Sequence, residues 1–405
     1  MRYLLPALAL VLAGCQGGDL IPSLPEGDIT LRLDVHEMVV PTDTVSGEPF
    51  LVATPDGAML SWMERTRGGA AMKLARMDGG AWGRIGTIVE DDSLFVNWAD
   101  VPSIAVSGER VWAHWLQYNG TGRYAYGVRA AQSDDGGESW SDAVWLHDDN
   151  SPAEHGFASL VPIGDELQAV WLDGRNWADG VHEMTVRTRR MAVGLGPERE
   201  LDARTCECCP TDMAVVGDDD LIVAYRDRSP EEVRDIYVTR RVNRAWQEPK
   251  PVAADGWNIA ACPVNGPALS VRSDSVALAW FTAANDDPAV KVAFSDDQGA
   301  SFGVPVRLDV GNPIGRVDVE MLDDGTAIVS WIEASSADAG FDAGIMARRV
   351  APDGRMSDPV TVEPTSSTRA SGYPRMVRWG NNLIFAWTAT EPDRRVKGAR
   401  AVIGV

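Results

Sequence analysis

Short hydrophobic runs recur along the chain, and each ends in an aromatic residue. The first run reads AMLSW and the last reads NLIFAW. Successive final aromatics are 53, 56, 54, 55, 51 and 56 residues apart. Runs this short, following turns rich in Gly, Asp and Asn, indicate β-strands. The seven final aromatic residues are Trp62, Trp115, Trp171, Tyr225, Trp280, Trp331 and Trp387.

Each repeat contains further short strands around its aromatic run. One strand precedes the run, and segments such as YGVRAAQ and DAVWLHD supply a third and a fourth. Four repeats share a proline thirteen residues before the aromatic, at Pro49, Pro102, Pro267 and Pro374. Four antiparallel strands per unit of about fifty residues are typical of a β-propeller blade. The pattern therefore predicts an all-β propeller of about seven four-stranded blades, with six as the alternative.

The last repeat ends after its third strand. Residues 28–35, DITLRLDV, are predicted to supply the missing fourth strand and so close the ring, which removes an open sheet edge. Residues 28–405 are accordingly expected to form a single propeller domain.

The first residues differ from this pattern. Residues 1–15 contain one early arginine and an apolar run of about ten residues, too short to span a bilayer, which predicts a signal peptide. The run ends in LAGC, so Cys15 is the expected lipidation site of a lipoprotein; an ordinary cleavable signal is the alternative. Residues 16–27 would form a flexible tether. The protein is thus expected to be exported and lipid-anchored in the cell envelope, on the periplasmic side of the outer membrane in a Gram-negative cell.

Net charge narrows the range of partners. A formal charge of −22 argues against nucleic acid and anionic membrane surfaces as binding partners, because both are themselves negatively charged. We expect a monomer that contacts the membrane only through its lipid and binds a glycan or another small ligand.

Polar residues precede or begin the first strand of each blade, and these segments meet at one mouth of a propeller's central channel. If the protein is an enzyme, the acid/base candidates are Asp100, Asp212 and Asp318. The candidate ligand-binding residues of the same mouth are Asn97, Asn265, Arg226, Arg228, Arg316 and Arg375.

Four cysteines fall at the same mouth. Cys206, Cys208 and Cys209 enter blade 4, Cys262 enters blade 5, and His155 enters blade 3. All four cysteines are disulfide candidates, since export permits bridges, and one bridge between the blades would contribute ~3–4 kcal/mol. Alternatively, Cys208, Cys209 and Cys262, with His155 or Cys206, would bind Cu or Zn, although C-x-C-C is not the usual knuckle spacing. A redox-active or vicinal disulfide is the third interpretation.

Two turns carry a further motif. SDDGGESW and SDDQGASF look like Asp-boxes, tight turns that mark the fold. Together with the signal and the repeats, they make the chain resemble the bacterial sialidase-like (BNR-repeat) propellers. More narrowly, NWADVPS, CECCPTD, CPVNGP and RASGYPRM are similar to a branch labelled exo-α-sialidase by similarity.

The resemblance implies a glycosidase site. In sialidases three arginines hold the substrate carboxylate, a tyrosine activated by a glutamate is the nucleophile, and a first-blade aspartate is the acid/base. Tyr373 falls where the nucleophile would, and Arg316 and Arg375 could serve as two of the arginines. However, Gly47 and Glu48 stand where an Arg-Ile pair is expected, and the first-blade loop has no aspartate.

The sequence therefore leaves open whether the protein is an enzyme. The leading hypothesis is an envelope-anchored, sialidase-like propeller that binds a glycan at the mouth and, if catalytic, hydrolyses it. The alternatives are a non-enzymatic metal-binding protein that uses the cysteines, and a scaffold that docks another envelope protein.

Overall fold

The computed structural model describes residues 27–42, 45–192, 194–336 and 339–404, without the side chains of residues 178 and 179. The predicted signal peptide, Cys15 and nearly all of the predicted tether lie outside these residues. No helix within the described ranges is long and apolar enough to cross a membrane.

The described residues form seven antiparallel sheets, each one blade of the propeller. A single strand, β1 (Arg32–Met38), precedes the first blade. Blade 1 consists of β2 (Ser46–Thr54), β3 (Gly57–Thr66), β4 (Gly69–Asp78) and β5 (Ala81–Asp91). Blade 2 consists of β6 (Ser103–Ser107), β7 (Arg110–Tyr118), β8 (Tyr126–Ser133) and β9 (Val144–Trp145). Blade 3 consists of β10 (His155–Ile163), β11 (Glu166–Asp173), β12 (Met184–Met191) and β13 (Arg199–Thr205).

The remaining blades follow the same order. Blade 4 consists of β14 (Asp212–Val216), β15 (Asp220–Arg226), β16 (Ile236–Val242), β17 (Ala245–Trp246) and β18 (Lys250–Pro251). Blade 5 consists of β19 (Ala268–Arg272), β20 (Ser275–Thr282), β21 (Ala289–Ser295) and β22 (Val306–Arg307). Blade 6 consists of β23 (Pro313–Met321), β24 (Ala327–Ala334), β25 (Ala343–Val350) and β26 (Val360–Thr365). Blade 7 begins with β27 (Arg375–Trp379), β28 (Asn382–Ala389) and β29 (Arg395–Gly404). Short 3-10 helices lie at Arg175–Asp179, Ala284–Asp286 and Arg369–Ser371.

The ring closes through β1, the outer strand of blade 7. β1 pairs antiparallel with β29, from Arg32 opposite Gly404 to Met38 opposite Gly398. The predicted closing strand is confirmed, with its paired residues beginning at 32 rather than 28. Seven blades are confirmed, and the six-blade alternative is wrong. In blade 4 two short pieces, β17 and β18, both pair with β16 in place of one outer strand.

The repeated aromatic residue lies in the second strand of every blade and is buried there. Several of the indoles donate Nε1–H to an acceptor two residues later, which lies on the same face of the strand. These bonds join Trp62 to Glu64 at 2.8 Å and Trp171 to Asp173 at 2.8 Å. The repeat therefore marks an inter-blade core position, and in these blades its one polar atom is satisfied within its own strand. In blades 4 and 5 the partner lies outside the strand, because Tyr225 donates to Asp202 and Trp280 donates to Asp255.

The two Asp-boxes form the tight turns expected of them. Ser133 Oγ accepts the Gly137 N–H at 2.8 Å, and Asp135 Oδ1 accepts the Ser139 N–H at 2.9 Å. The second box repeats both bonds about Ser295, at 2.8 and 2.9 Å. The boxes therefore stabilise hairpins between the third and fourth strands of blades 2 and 5.

Candidate functional site at the channel mouth

The first strands of the seven blades surround a central cavity of about 180 Å³. Among the side chains that line it are two of the predicted acids, Asp212 and Asp318, together with Glu320 and Arg375. The prediction that polar residues from several blades converge on the axis is consistent with this arrangement.

Asp212 and Asp318 each join two neighbouring blades. Asp212 accepts the N–H of Leu269 in the next blade at 2.7 Å, and Asp318 accepts that of Met376 at 2.7 Å. Burial raises the pKa of Asp212 to about 6 and also raises that of Asp318. Asn265 also joins two neighbouring blades, because its amide oxygen accepts the Arg316 N–H at 2.7 Å. These three side chains therefore link neighbouring blades, each by accepting a hydrogen bond from a main-chain N–H of the next blade.

Three of the predicted ligand-binding arginines are engaged within the protein. Buried Arg226 donates to the main-chain carbonyls of Asn265, Arg234 and Phe281 at 2.9, 2.7 and 2.6 Å. Arg316 Nη1 donates to Ser371 Oγ at 2.7 Å and to the carbonyls of Thr368 and Gly372 at 3.1 Å. Arg228 is paired with Glu207 and Glu232. The sequence could not distinguish these internal roles from ligand binding, because both require polar side chains at strand ends.

Arg375 differs from those three. Its Cζ lies 5.0 Å from the centre of the Phe50 ring and 5.7 Å from that of Tyr373. Its Nε is buried and has no hydrogen-bond partner among the described residues. Arg375 is thus the predicted arginine with most donor capacity left in the channel. Asn97, by contrast, accepts the Ala99 N–H at 2.9 Å.

Tyr373, the nucleophile candidate, is buried at the mouth. Its hydroxyl donates to the Val264 carbonyl at 2.7 Å, and its ring stacks with Trp98 at 6.3 Å between centroids. Burial raises the pKa of Tyr373 above its ordinary value, with Cys209 adding to the shift and Arg316 opposing it. No carboxylate of the described chain is bonded to this hydroxyl, so the glutamate implied by the resemblance is not paired with it.

A tyrosine that was not predicted lies between two acids near this mouth. Tyr126 Oη lies 2.9 Å from Asp100 Oδ2 and 2.7 Å from Glu154 Oε1. A phenol has one proton to donate, so the second contact requires a protonated carboxyl. Asp100 is fully buried and also accepts the Phe157 N–H at 2.7 Å. Asp100 thus accepts two hydrogen bonds as a carboxylate, so we assign the proton to Glu154, whose partial exposure leaves it open to a ligand.

The electrostatics agree with a shared proton. Burial raises the pKa of Asp100 to about 7, against the hydrogen bonds from Phe157 and Tyr126. Burial also raises the pKa of Glu154 to about 7, and the charge of Glu207 adds to that shift. This acidic cluster, Asp100–Tyr126–Glu154, is thus electrostatically linked to the cysteine segment that contains Glu207.

His155 does not join the cysteines, so the prediction that it completes a metal site with them needs correction. Its Nε2 lies 3.0 Å from Asp149 Oδ2, and its Nδ1 lies 3.1 Å from the Ala153 carbonyl. The ring also stacks on His147 at 3.9 Å. Because both ring nitrogens are engaged inside blade 3, neither is available to a metal ion at the cysteine segment.

Three of the cysteines do converge. The sulfurs of Cys206, Cys208 and Cys209 lie within 4.8 Å of one another. Cys206 Sγ is 2.6 Å from that of Cys209 and 3.9 Å from that of Cys208. The closest pair has C-x-x-C spacing, which the C-x-C-C reading of the sequence overlooked. No disulfide joins the four described cysteines, so the predicted bridges stay predictions. Cys262 is exposed beside Cys208.

Of the three clustered cysteines, Cys206 is the one whose neighbours favour a thiolate. Its hydrogen bond raises the pKa of Cys208, and burial raises that of Cys209. Burial opposes ionisation of Cys206, but hydrogen bonds from Cys208 and Cys209 outweigh it and hold the pKa of the Cys206 thiol well below its ordinary value. Arg226 lowers that pKa further. Arg234 also contributes, with Nη1 3.4 Å from the Cys206 sulfur. Thiolate is the form of cysteine that binds metals and reacts with electrophiles.

Solved structures that share the propeller fold include enzymes that act on glycans. The α-L-arabinofuranosidase of Fusarium graminearum, solved with arabinobiose, gives a TM-score of 0.51 at 12% identity, covering 90% of this chain and 96% of that one. The polysaccharide lyase Uly1 gives 0.50 at 10% identity, covering 88% and 89%. A NanB sialidase of Streptococcus pneumoniae gives 0.48 at 9% identity, covering 91% and 94%.

Identities this low show the fold alone. The seven-bladed β-propeller that the sequence resemblance implies is confirmed at that level. No family model and no curated protein matches the chain.

Proposed function

We propose that this protein binds and hydrolyses a glycan at the channel mouth, with Glu154 as the general acid. The observation that carries the proposal is the Asp100–Tyr126–Glu154 cluster, where three oxygens at hydrogen-bond distance require a carboxyl proton. A carboxylic acid whose pKa lies near neutral pH suits proton donation to a leaving group. The fold shared with two glycan-acting enzymes supports a carbohydrate substrate.

Each member of the cluster has a separate part in this chemistry. The hydrogen bond from Glu154 to Tyr126 breaks as Glu154 gives its proton to the glycosidic oxygen, which leaves the anomeric carbon. Water then adds its hydroxyl to that carbon, and the proton that the water releases returns to the Glu154 carboxylate. Tyr126, which also contacts Asp100, holds the Glu154 carboxyl in place and keeps it protonated until the substrate binds. Arg375, with its unpartnered Nε, would bind a carboxylate or hydroxyl of the sugar. Export and lipidation at Cys15 belong to the same proposal and would place the mouth where extracellular or periplasmic glycans occur.

A panel of oligosaccharides tests the activity. We expect turnover of at least one member of a set that carries arabinosyl, sialyl or uronate groups, measured by released sugar. Glu154→Gln keeps the size of the side chain but has no acidic proton, so kcat/KM should fall by about 100-fold or more. The rate of the unaltered protein should also fall above about pH 7, as Glu154 loses its proton.

A matched control separates this effect from a change of charge. Glu90 is exposed on β5, the outer strand of blade 1, and Glu90→Gln should leave kcat/KM unchanged. Equal rates for Glu154→Gln and Glu90→Gln would refute the assignment of the acid. Absence of both turnover and binding across the panel would refute the proposal that the ligand is a glycan.

A further inference from the structure

The segment from Cys206 to Cys209 crosses from the last strand of blade 3 to the first strand of blade 4. The Cys206 N–H donates to the Arg226 carbonyl at 3.0 Å, which fixes the segment to the end of β15. The loop of Cys262 packs against it so closely that a Cβ at Gly266 would lie 2.1 Å from the Pro210 carbonyl. The three neighbouring sulfurs are therefore held by backbone contacts from two blades.

Two of the three sulfurs are buried, Cys208 is partly exposed, and the group is free of other ligand types. Cys206 and Cys209 are 0% and 1% exposed. No histidine or carboxylate of the described residues joins the group of three sulfurs. The nearest acid along the chain, Glu207, is paired with Arg228 and with Arg234, the latter at 2.7 Å. Its carboxylate is thus held by arginines instead of pointing toward the sulfurs.

We propose that Cys206, Cys208 and Cys209 bind one Cu(I) ion through three thiolates. Soft sulfur ligands select Cu(I), whereas a structural Zn²⁺ site takes four ligands and this group supplies three. A Cu(I) ion with three thiolates carries a net charge of −2, which the guanidinium of Arg234, 3.4 Å from the Cys206 sulfur, partly offsets. Binding displaces the thiol protons to solvent and leaves the oxidation state of copper unchanged. Exposed Cys262, beside Cys208, lies outside the set of three.

Competition for Cu(I) tests the site directly. The full-length protein, reduced and kept under nitrogen, is titrated with Cu(I) supplied as its acetonitrile complex in the presence of bathocuproine disulfonate, and the loss of the chelator's copper absorbance is measured. We expect one Cu(I) per chain and three sulfur neighbours by X-ray absorption. Cys206→Ser, Cys208→Ser and Cys209→Ser should each weaken binding by about 100-fold or more.

Cys262→Ser is the matched control, because it removes a neighbouring thiol that is outside the set; it should retain one Cu(I) with an affinity within about 10-fold of the unaltered protein. Circular dichroism and thermal unfolding verify that each variant is folded. If the other two variants unfold, Cys208→Ser alone provides the test, because Cys208 is the least buried of the three. A Cys206–Cys209 disulfide in non-reduced protein taken directly from cells, with no Cu(I) retained against the chelator after reduction, would overturn the proposal. So would a folded Cys208→Ser protein that binds Cu(I) as tightly as the original. Neither result depends on glycan turnover.

Discussion

Gly156 shows how closely the acidic cluster is packed. A Cβ at this position would lie 2.0 Å from Asp100 Oδ2 and 2.9 Å from the Tyr126 ring. The carboxylate cannot easily move away, because the Phe157 N–H holds its other oxygen at 2.7 Å. Glycine is therefore required here for the approach of a side chain from the preceding blade.

Gly156→Ala should accordingly destabilise the protein. We expect a loss of roughly 1–3 kcal/mol in the free energy of unfolding, the usual range for overpacking a buried site, measured by urea denaturation. Gly68→Ala is the control, since Gly68 is exposed and no atom lies within 4 Å of its Cβ position. Equal stability of the two variants would mean that Asp100 and Tyr126 are not packed as described.

The sequence shows only part of this cluster. Asp100 was predicted because it lies two residues before a proline of the repeat, where segments enter the channel. Tyr126 was not, because it belongs to a third strand and meets Glu154 through a bridge between blades 2 and 3. Such contacts between blades leave no periodic trace in the chain. Arg226 was predicted to bind a ligand for the same reason, because its contacts with other blades cannot be read from the sequence. In the structure it donates hydrogen bonds to three main-chain carbonyls.

At the scale of strands the sequence was more informative. Each repeat aromatic is where the pattern placed it, since one inward residue per blade must fill the space between neighbouring sheets. The closing strand was also predicted, because the last repeat lacked a fourth strand. The divided outer strand of blade 4 was not, since β17 and β18 contain two residues each and such short pieces have no periodicity.

Removal of the closing strand should open the ring. A chain that begins after Met38 loses the whole β1–β29 ladder and the buried side chain of Leu31, exposing the edge of β29. We expect a lower melting temperature and self-association through the free edge, measured by calorimetry and by light scattering after size exclusion. A chain that begins at residue 27 keeps β1 and should remain monomeric. A monomeric, equally stable truncation after Met38 would contradict closure by β1.

The whole molecule combines an excess of acidic residues with burial of several of them. The formal net charge is −22. Burial raises the pKa of Asp100, Glu154 and Asp227 to about 7, that of Asp212 to about 6 and that of Glu320 to about 8. The ordinary values of these side chains are 3.8 and 4.5, so the folded protein holds these protons more tightly than the unfolded chain.

This difference fixes how stability depends on pH. For the buried acids, the stabilisation is fully present below about pH 4 and is lost as the pH rises from there through the folded-state pKa values of about 6 to 8. Over that interval the folded state binds more protons than the unfolded chain. Asp135, hydrogen-bonded by Ser139, and Glu232, hydrogen-bonded by Arg228, act in the opposite sense. Their pKa values are lowered to about 2, so their contribution is lost only as the pH falls toward that value.

The acids with raised pKa values and the acids with lowered pKa values together predict that the free energy of unfolding is highest in mildly acidic solution. Calorimetry at constant ionic strength should therefore give a higher melting temperature at pH 5 than at pH 8. The double variant Asp100→Asn, Glu154→Gln removes two of the responsible protons and should show a shallower decline over the same interval. Self-repulsion of the acidic surface also grows with pH, but salt screens it, whereas salt barely affects buried carboxyls. A decline in melting temperature that persists in high salt and weakens in the double variant would therefore be due to the buried acids. A melting temperature that rises from pH 5 to pH 8 would show that these acids are not buried as described.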